Sequence, residues 1–186
     1  MDQNREFAGK DEYRDLTARL LVAEDRLSLL NIEGAYGRAY DSKADEGRLW
    51  ASLFTEDGIY QARQLPGMST QNFAQGRENL AKFCVAEPLS GIHFMHAPFL
   101  TIDGDQATGR IHYQFQASTV DQYARTQSRW TSGYYDVLYV RTESGWLIKR
   151  RITTYLQINH QIVFPYEPTP ADLFNIDRDV SYDDQR

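Results

Sequence analysis

Asp41 and His93 are the two residues of this chain whose types could carry out acid–base chemistry together. A neutral imidazole is a good general base near neutral pH, and a carboxylate on its other nitrogen fixes the tautomer and stabilises the imidazolium. Such a pair can remove a proton next to a carbonyl or anti to a leaving group. The alternative is structural: Asp41 would cap a neighbouring turn, and His93 would be a satisfied core histidine.

The position of Asp41 suggests a pocket. It continues a series of small and apolar residues that alternates steps of four and three, the spacing of the buried stripe of an amphipathic helix. A carboxylate in line with such a stripe must be hydrogen-bonded or paired to stay ionised. The two glycines before it leave room beside the helix. The series consists of Leu16, Leu20, Ala23, Leu27, Leu30, Gly34 and Gly37.

Aromatic residues are abundant, with 12 Tyr, 9 Phe and 3 Trp, and such residues line pockets for flat or apolar ligands. Tyr36 and Tyr40 flank Asp41 on the helix, where a phenol could polarise a carbonyl or assist a leaving hydroxyl; the alternative is a core position with a wet tip. We predict both as catalytic residues with Asp41 and His93. We predict Trp50, Phe115 and Tyr135 as substrate-binding residues.

Other polar residues are interpreted as structural or surface groups. His96 lies an odd number of residues from His93, so the two face opposite ways on a regular strand, and a metal site there would lack a third ligand. His112 is expected at the surface or in a subunit contact. Arg125 and Arg129 could close over an anionic substrate, but an exposed loop is the simpler interpretation.

Composition narrows the class of partner. A net charge of −6 argues against nucleic acid, no apolar run approaches the length of a membrane span, and no apolar leader opens the chain. The lone Cys84 excludes an internal disulfide. We therefore expect a cytoplasmic protein with a small hydrophobic or aromatic substrate and neither metal nor cofactor. A mixed polar strand face predicts a homodimer or homotrimer.

Periodicity predicts helices first and antiparallel strands afterwards, an α+β fold in which a curved, cone-shaped antiparallel sheet wraps around the long N-terminal helix. Asp103-Gly104-Asp105 is a hairpin signal, and Asp57-Gly58 a turn signal. Residues 1–10 are expected to be disordered, 11–164 to form the domain and 165–186 to form a proline-rich acidic tail, with a loop over 64–71 and another over 118–129. The predicted helices are 11–41, 44–54 and 72–84, and the strands are 59–63, 92–102, 107–118, 130–142 and 146–158.

Two segments resemble the SnoaL-like branch of the cystatin-like α+β barrels. The first runs from Gly34 to Lys43: Tyr40-Asp41-Ser42-Lys43 is similar to dehydratases of that family, and Asp41 through Glu46-Gly47-Arg48-Leu49 to a dehydrochlorinase. The second is His93-Phe94-Met95-His96-Ala97-Pro98 with the hairpin that follows. The resemblance covers about residues 16–160 and implies an Asp41–His93 catalytic dyad.

The chain departs from the dehydratases at one position. Those enzymes have an additional acid or histidine for proton transfer on the strand after Gly109-Arg110. It would fall at about residues 115–118, which here read Phe115-Gln116-Ala117-Ser118. Asp136, which we also predict as a substrate-binding residue, is a candidate replacement in the pocket, with a surface acid as the alternative. The resemblance implies a cofactor-free lyase, with dehydration as the first expectation. An isomerase or cyclase, or a non-catalytic ligand-binding or assembly domain, is the alternative.

Overall fold

The long N-terminal helix and the strands that follow it are described over residues 3–63, 73–86, 90–120, 126–159 and 161–162 of the computed structural model. The predicted loop over 64–71 and tail over 165–186 lie outside these residues. Helix α1 spans Gln3–Ser42, a 3-10 turn Ala44–Gly47, α2 Arg48–Ala51 and α3 Arg77–Ala86. The strands are β1 Phe54–Ala62, β2 Phe73–Gln75, β3 Ser90–Met95, β4 Phe99–Asp103, β5 Gln106–Val120, β6 Thr126–Thr142, β7 Gly145–Ile158 and β8 Gln161–Ile162.

The strands form one curved sheet in the order β2-β1-β7-β6-β5-β3, with β4 also paired to β5 and β8 to β7. The α+β class is confirmed, but the prediction that every strand pair is antiparallel is wrong. The sheet is mixed, because β1 runs parallel to β7, and it does not close. A hairpin connection requires two paired strands to run antiparallel. No hairpin joins β1 to β7, because β1 follows the helices and β7 comes much later in the chain, so these two strands can pair in parallel.

The predicted buried stripe of α1 is displaced. Leu16, Leu20 and Leu27 are 57–61% exposed, and Gly34 has open space beside it. The side chains that face the sheet are instead Leu29, Ile32, Glu33, Tyr36 and Tyr40. A helix of 40 residues is about 60 Å long and outreaches the sheet, so only its second half is covered. Residues 3–10, predicted to be disordered, belong to this helix.

The segment after α1 has less helix than predicted. Phe54, expected near the end of a helix over 44–54, begins β1, and Asp57-Gly58 lies inside that strand. A register shift between Phe54 and Ile59 accommodates Gly58, where a Cβ would lie only 2.7 Å from Phe54 Cβ. The third helix begins at Arg77, since Phe73 belongs to the short strand β2.

The strands of the second half are close to the prediction. The Gly104-Asp105 turn is confirmed, and Gly104 has the positive φ of 57° that favours glycine. The strand predicted over 92–102 is interrupted at His96–Pro98, and its two halves both pair with β5. Much of the loop predicted over 118–129 is strand, because β5 continues to Val120 and β6 begins at Thr126.

The core lies between the concave face of the sheet and the second half of α1, with α2 and α3 at one side. Trp50 is its centre, with ring centroids 5.0–5.7 Å from those of Tyr36, Tyr40, Phe54 and Tyr60. No helix in the described part of the chain has the length and apolar character required to cross a membrane.

Candidate active site

Asp41 and His93 are held together by two hydrogen bonds. Asp41 Oδ1 lies 2.5 Å from His93 Nδ1, and Asp41 Oδ2 accepts the backbone N–H of His93 at 2.8 Å. The two side chains are 17% and 7% exposed, so water competes little for these bonds. An ionised carboxylate can only accept, which places the proton on Nδ1 and leaves Nε2 as the basic nitrogen.

Local sequence explains how the last turn of α1 meets β3. Gly37 lies one turn before Asp41, and a Cβ at Gly37 would be 3.3 Å from His93 Cβ and 3.4 Å from Met95 Cγ. The absence of a side chain therefore lets strand and helix approach closely. The helix ends at Ser42, one residue after Asp41, and the next residue, Lys43, adopts a left-handed conformation with φ of 50°. Asp41 thus stands at the helix end, as predicted.

Aromatic rings surround the imidazole. The centroid of His93 is 5.3 Å from that of Tyr40, 6.5 Å from Tyr36 and 4.4 Å from Phe115. Burial raises the pKa of the Tyr36 hydroxyl well above its usual value, so this phenol stays protonated and can only donate or accept a hydrogen bond. The two tyrosines predicted to flank Asp41 therefore both lie beside the histidine.

The imidazole faces a narrow cavity of about 50 Å³. Ligand pockets usually measure about 300–1,000 Å³, so a ring compound could enter only if side chains moved apart. Six of the eleven lining residues are tyrosines, which makes the wall polar at its hydroxyls and apolar elsewhere. They are Tyr36, Tyr40, Tyr60, Tyr113, Tyr135 and Tyr155, and the others are His93, Phe115, Arg129, Thr131 and Thr153.

A buried ion pair lies beneath the cavity and was missed from sequence. Arg151 donates to both carboxylate oxygens of Glu33 at 2.8 and 2.9 Å, and Tyr139 Oη donates to the same carboxylate at 2.7 Å. The guanidinium is stacked 3.5 Å from the centroid of Tyr36 and 4.1 Å from that of Tyr135. The pair therefore orients two tyrosines of the wall. The sequence held one sign of this pair: Glu33 is three residues before Tyr36 and seven before Tyr40, a spacing that places all three side chains on one face of the helix.

Of the four predicted substrate-binding residues, two line the cavity and two do not. Phe115 and Tyr135 line the cavity, but Trp50 lies behind its wall, packed against Tyr36 and Tyr40. Asp136 does not line this cavity: its side chain lies on the other face of the sheet, where Arg110 donates two hydrogen bonds to it at 2.7 and 2.9 Å. Successive residues of a strand point to opposite faces, so Tyr135 and Asp136 could not both face the pocket.

The remaining predicted residues are spread around the site. His96 and His112 have exposed side chains, and the backbone N–H of His96 donates to the carbonyl of His112 at 3.0 Å. Arg129 is half-buried and lines the cavity, contrary to the interpretation as an exposed loop residue. Arg125 lies outside the described residues. Within those residues no three histidine, cysteine or acidic side chains are grouped as a metal site.

A larger groove of about 780 Å³ lies between α2 and α3. Its lining includes the apolar residues Ala51, Ala81 and Val85 and the charged residues Arg48 and Lys82. It contains none of the predicted site residues, so the narrow cavity remains the candidate active site.

Solved structures confirm the fold. An NTF2-like protein with a cystatin-like fold from Novosphingobium aromaticivorans is 27% identical, with a TM-score of 0.61, over 77% of this chain and 90% of that one. A Kribbella flavida protein is 20% identical, with a TM-score of 0.64, over 74% and 94%. A candidate scytalone dehydratase from N. aromaticivorans is 18% identical, with a TM-score of 0.61, over 83% and 97%.

Sequence comparison identifies the family. No curated protein matches the chain significantly. The family model for the SnoaL-like domain matches residues 22–152, which is most of the chain and contains α1 from its middle onward, both residues of the Asp41–His93 pair and all strands up to the centre of β7. The chain therefore belongs to the SnoaL-like family.

Proposed function

We propose that this protein is a cofactor-free lyase that eliminates water from a hydrophobic cyclic ketone, with His93 as the base. The observation that carries the proposal is the Asp41–His93 contact at the wall of the cavity. A domain that only binds a ligand has no need of an imidazole whose one nitrogen is fixed by a carboxylate and whose other nitrogen is free to accept a proton.

The proposed reaction needs one base. His93 Nε2 removes the proton α to the carbonyl, and the electron pair of the C–H bond forms an enolate. Asp41 stabilises the imidazolium that results. The enolate expels the β-hydroxyl group, and the imidazolium returns its proton to the departing oxygen as water. Tyr36 or Tyr40 donates a hydrogen bond to the enolate oxygen, the place where negative charge develops.

Isomerisation is the alternative within the same chemistry. Returning the proton to another carbon of the enolate would move a double bond instead of expelling water. No second acid lines the cavity within the described residues, so a single base must both take and return the proton. That arrangement serves either reaction, and dehydration is proposed first because the dehydratases of the family resemble the chain around Asp41.

A non-catalytic binding or assembly domain is the second candidate. The narrow cavity favours it, since six tyrosines leave only about 50 Å³ between them. A domain that serves only in assembly needs no open cavity, so aromatic side chains can fill its interior. The experiment below separates the two functions, because a filled interior provides no access for a ketone to Nε2.

The test uses a β-hydroxycyclohexanone as a small single-ring substrate. Its dehydration to cyclohexenone is followed by ultraviolet absorbance, and proton removal alone is followed by deuterium uptake at the α-carbon in D₂O. We expect both with the wild type. His93→Ala should lower both rates at least about 100-fold, the usual contribution of a general base.

His96→Ala is the matched control, since this exposed histidine lies only three residues away and faces solvent. It should leave both rates unchanged. The lyase and isomerase proposals would be rejected together if His93→Ala retained the wild-type rate of deuterium uptake, or if the wild type produced neither exchange nor cyclohexenone.

A further inference from the structure

Among the residues that the structure describes, a single arginine or lysine side chain lies in the wall of the cavity. Arg129 on β6 is half-buried there, and none of the eleven lining residues is acidic. Asp41 is occupied by His93, and Glu33 by Arg151. In the part of the chain that the structure describes, Arg129 has no carboxylate partner. A partly desolvated guanidinium without a counter-charge in a chain of net charge −6 is suited to an anion.

The register of the sheet gives the position of Arg129 relative to the base. His93 pairs with Phe115, and Phe115 with Thr131. Arg129 is the next residue of β6 on that face, opposite Ala117. It therefore lies one inward-facing position, about 7 Å of backbone, beyond the row of His93. Arg129 also lines an open surface groove of about 610 Å³ at the strand edge, so it stands where the cavity meets solvent.

A second donor in the same wall has no well-formed hydrogen bond to any described residue. The hydroxyl of Tyr113 is buried, with the residue 3% exposed, and within the described residues its only neighbour for a hydrogen bond is Thr131, whose geometry is poor. Burial raises the pKa of this hydroxyl well above its usual value, and the positive charge of Arg129 opposes the rise. The phenol and the guanidinium are thus in electrostatic reach of one another. A buried hydroxyl left unpaired is costly unless a ligand completes it.

We infer that Arg129, Tyr113 and Thr131 form an anion-binding subsite of the cavity, and that the substrate is a cyclic compound bearing a carboxylate or an equivalent anionic oxygen. The inference deepens the proposed function. The anionic oxygen lies at the mouth against Arg129, and the ring extends between the tyrosines. The acidic C–H then reaches His93 one position further in.

Benzoate is the probe, and benzamide is its neutral counterpart of the same shape. Isothermal titration calorimetry should give saturable benzoate binding to the wild type and clearly weaker benzamide binding. Arg129→Ala should weaken benzoate at least about tenfold, as expected for a charge-assisted contact, and leave benzamide unchanged. Arg129→Lys should restore part of the affinity. Ser128→Ala, an exposed neighbour on the opposite strand face, is the control and should bind as the wild type does.

Tyr113→Phe separates recognition from folding. It should weaken benzoate by about threefold, the value of one modest hydrogen bond. It should also raise the Tm of the free protein, because it removes a buried hydroxyl that has no partner. A residue with a purely structural role would not give these two opposite changes.

The inference is overturned if benzoate does not saturate the wild type, if benzamide binds equally well, or if Arg129→Ala keeps the wild-type affinity for benzoate. Its failure differs from that of the proposed function. A protein that binds benzoate through Arg129 but processes no ketone would contradict only the lyase. One that dehydrates the ketone but binds benzoate without Arg129 would contradict only the subsite.

Discussion

Asp41 acts on His93 through both the ring and the backbone, and the two contacts have different consequences. The bond to the backbone N–H fixes the position of β3 relative to the helix end. The bond to Nδ1 decides which ring nitrogen remains basic. A single carboxylate thereby sets both the position and the tautomer of the proposed base, so the two can be separated by a substitution that keeps shape and removes charge.

Asp41→Asn is that substitution. We expect the Nδ1–H tautomer to lose its preference, because a neutral amide replaces a charge-assisted acceptor worth about 1.5–3 kcal/mol. Nitrogen-15 NMR of the histidine rings measures this directly: the Nδ1 and Nε2 resonances of His93 should be well separated in the wild type and should move towards each other in the variant. The exposed His96 is the internal reference. Unchanged His93 resonances would show that Asp41 does not control the tautomer.

At the scale of elements, helix α1 is fixed to the sheet by two ion pairs in addition to its apolar contacts. Glu33 and Arg151 form the buried pair. Further towards the N-terminus, Asp25 accepts two hydrogen bonds of 2.7 Å from Arg141 and one of 2.9 Å from the indole of Trp146. The second contact joins the helix to the hairpin between β6 and β7, and it limits how α1 can pivot over the cavity.

The Asp25 contact should make stability depend on pH. The hydrogen bonds from Arg141 hold the pKa of Asp25 below its usual range, so the unfolded chain binds this proton more readily. The stabilisation is then complete above about pH 4, the unfolded value, and is lost as the pH falls through the lower folded value. Asp25→Asn should lower the free energy of unfolding at neutral pH by about 1 kcal/mol and reduce the loss between pH 4 and 2.

Urea unfolding at a series of pH values measures this effect. Asp15→Asn, on the exposed part of the same helix, is the control and should change neither the stability at neutral pH nor its decline in acid. Parallel acid-unfolding curves for the wild type and Asp25→Asn would contradict the assignment.

At the scale of the whole molecule, α1 has a leucine face between Leu16 and Leu30 that no described part of the chain covers. Leu16, Leu20, Leu27 and Leu30 are 40–61% exposed, and with Ala23 they keep the four-and-three spacing of a coiled-coil seam. An apolar face with this spacing can pack against an identical face on another copy of the chain. We therefore propose that this face packs against the same face of a second or third copy, in agreement with the predicted homodimer or homotrimer.

Leu20→Glu combined with Leu27→Glu should abolish that association, because two charges would enter an apolar seam. Sedimentation velocity should show a dimer or trimer for the wild type and a monomer for the variant, with the far-ultraviolet spectrum of both folded. Leu49→Glu, an exposed leucine on α2, is the control and should leave the mass unchanged. A monomeric wild type would reject the proposal.

The sequence was informative where a local pattern has a single structural meaning. The alternation of β5 and the turn at Gly104 predicted the hairpins, and the resemblance around Asp41 predicted its contact with His93. The heptad spacing of α1 showed that the helix has an apolar face but not what covers it. Asp136 was placed in the pocket because the surroundings of β6 were unknown, although adjacent residues of a strand point to opposite faces, and Tyr135 and Asp136 could not both line one cavity. Glu33 and Arg151 pair across a large sequence separation that no local pattern encodes.

Cys84 lies on α3 against the end of α1, fully buried, with its thiol donating to the carbonyl of Tyr40 at 3.8 Å. Burial raises the pKa of the thiol to about 11, so very little thiolate exists at neutral pH even when a reagent is near. It is also the single cysteine of the chain. The rate at which an added reagent alkylates Cys84 therefore measures how often α3 separates from the end of α1 that holds Asp41. A ligand that stabilises the closed site should lower this rate.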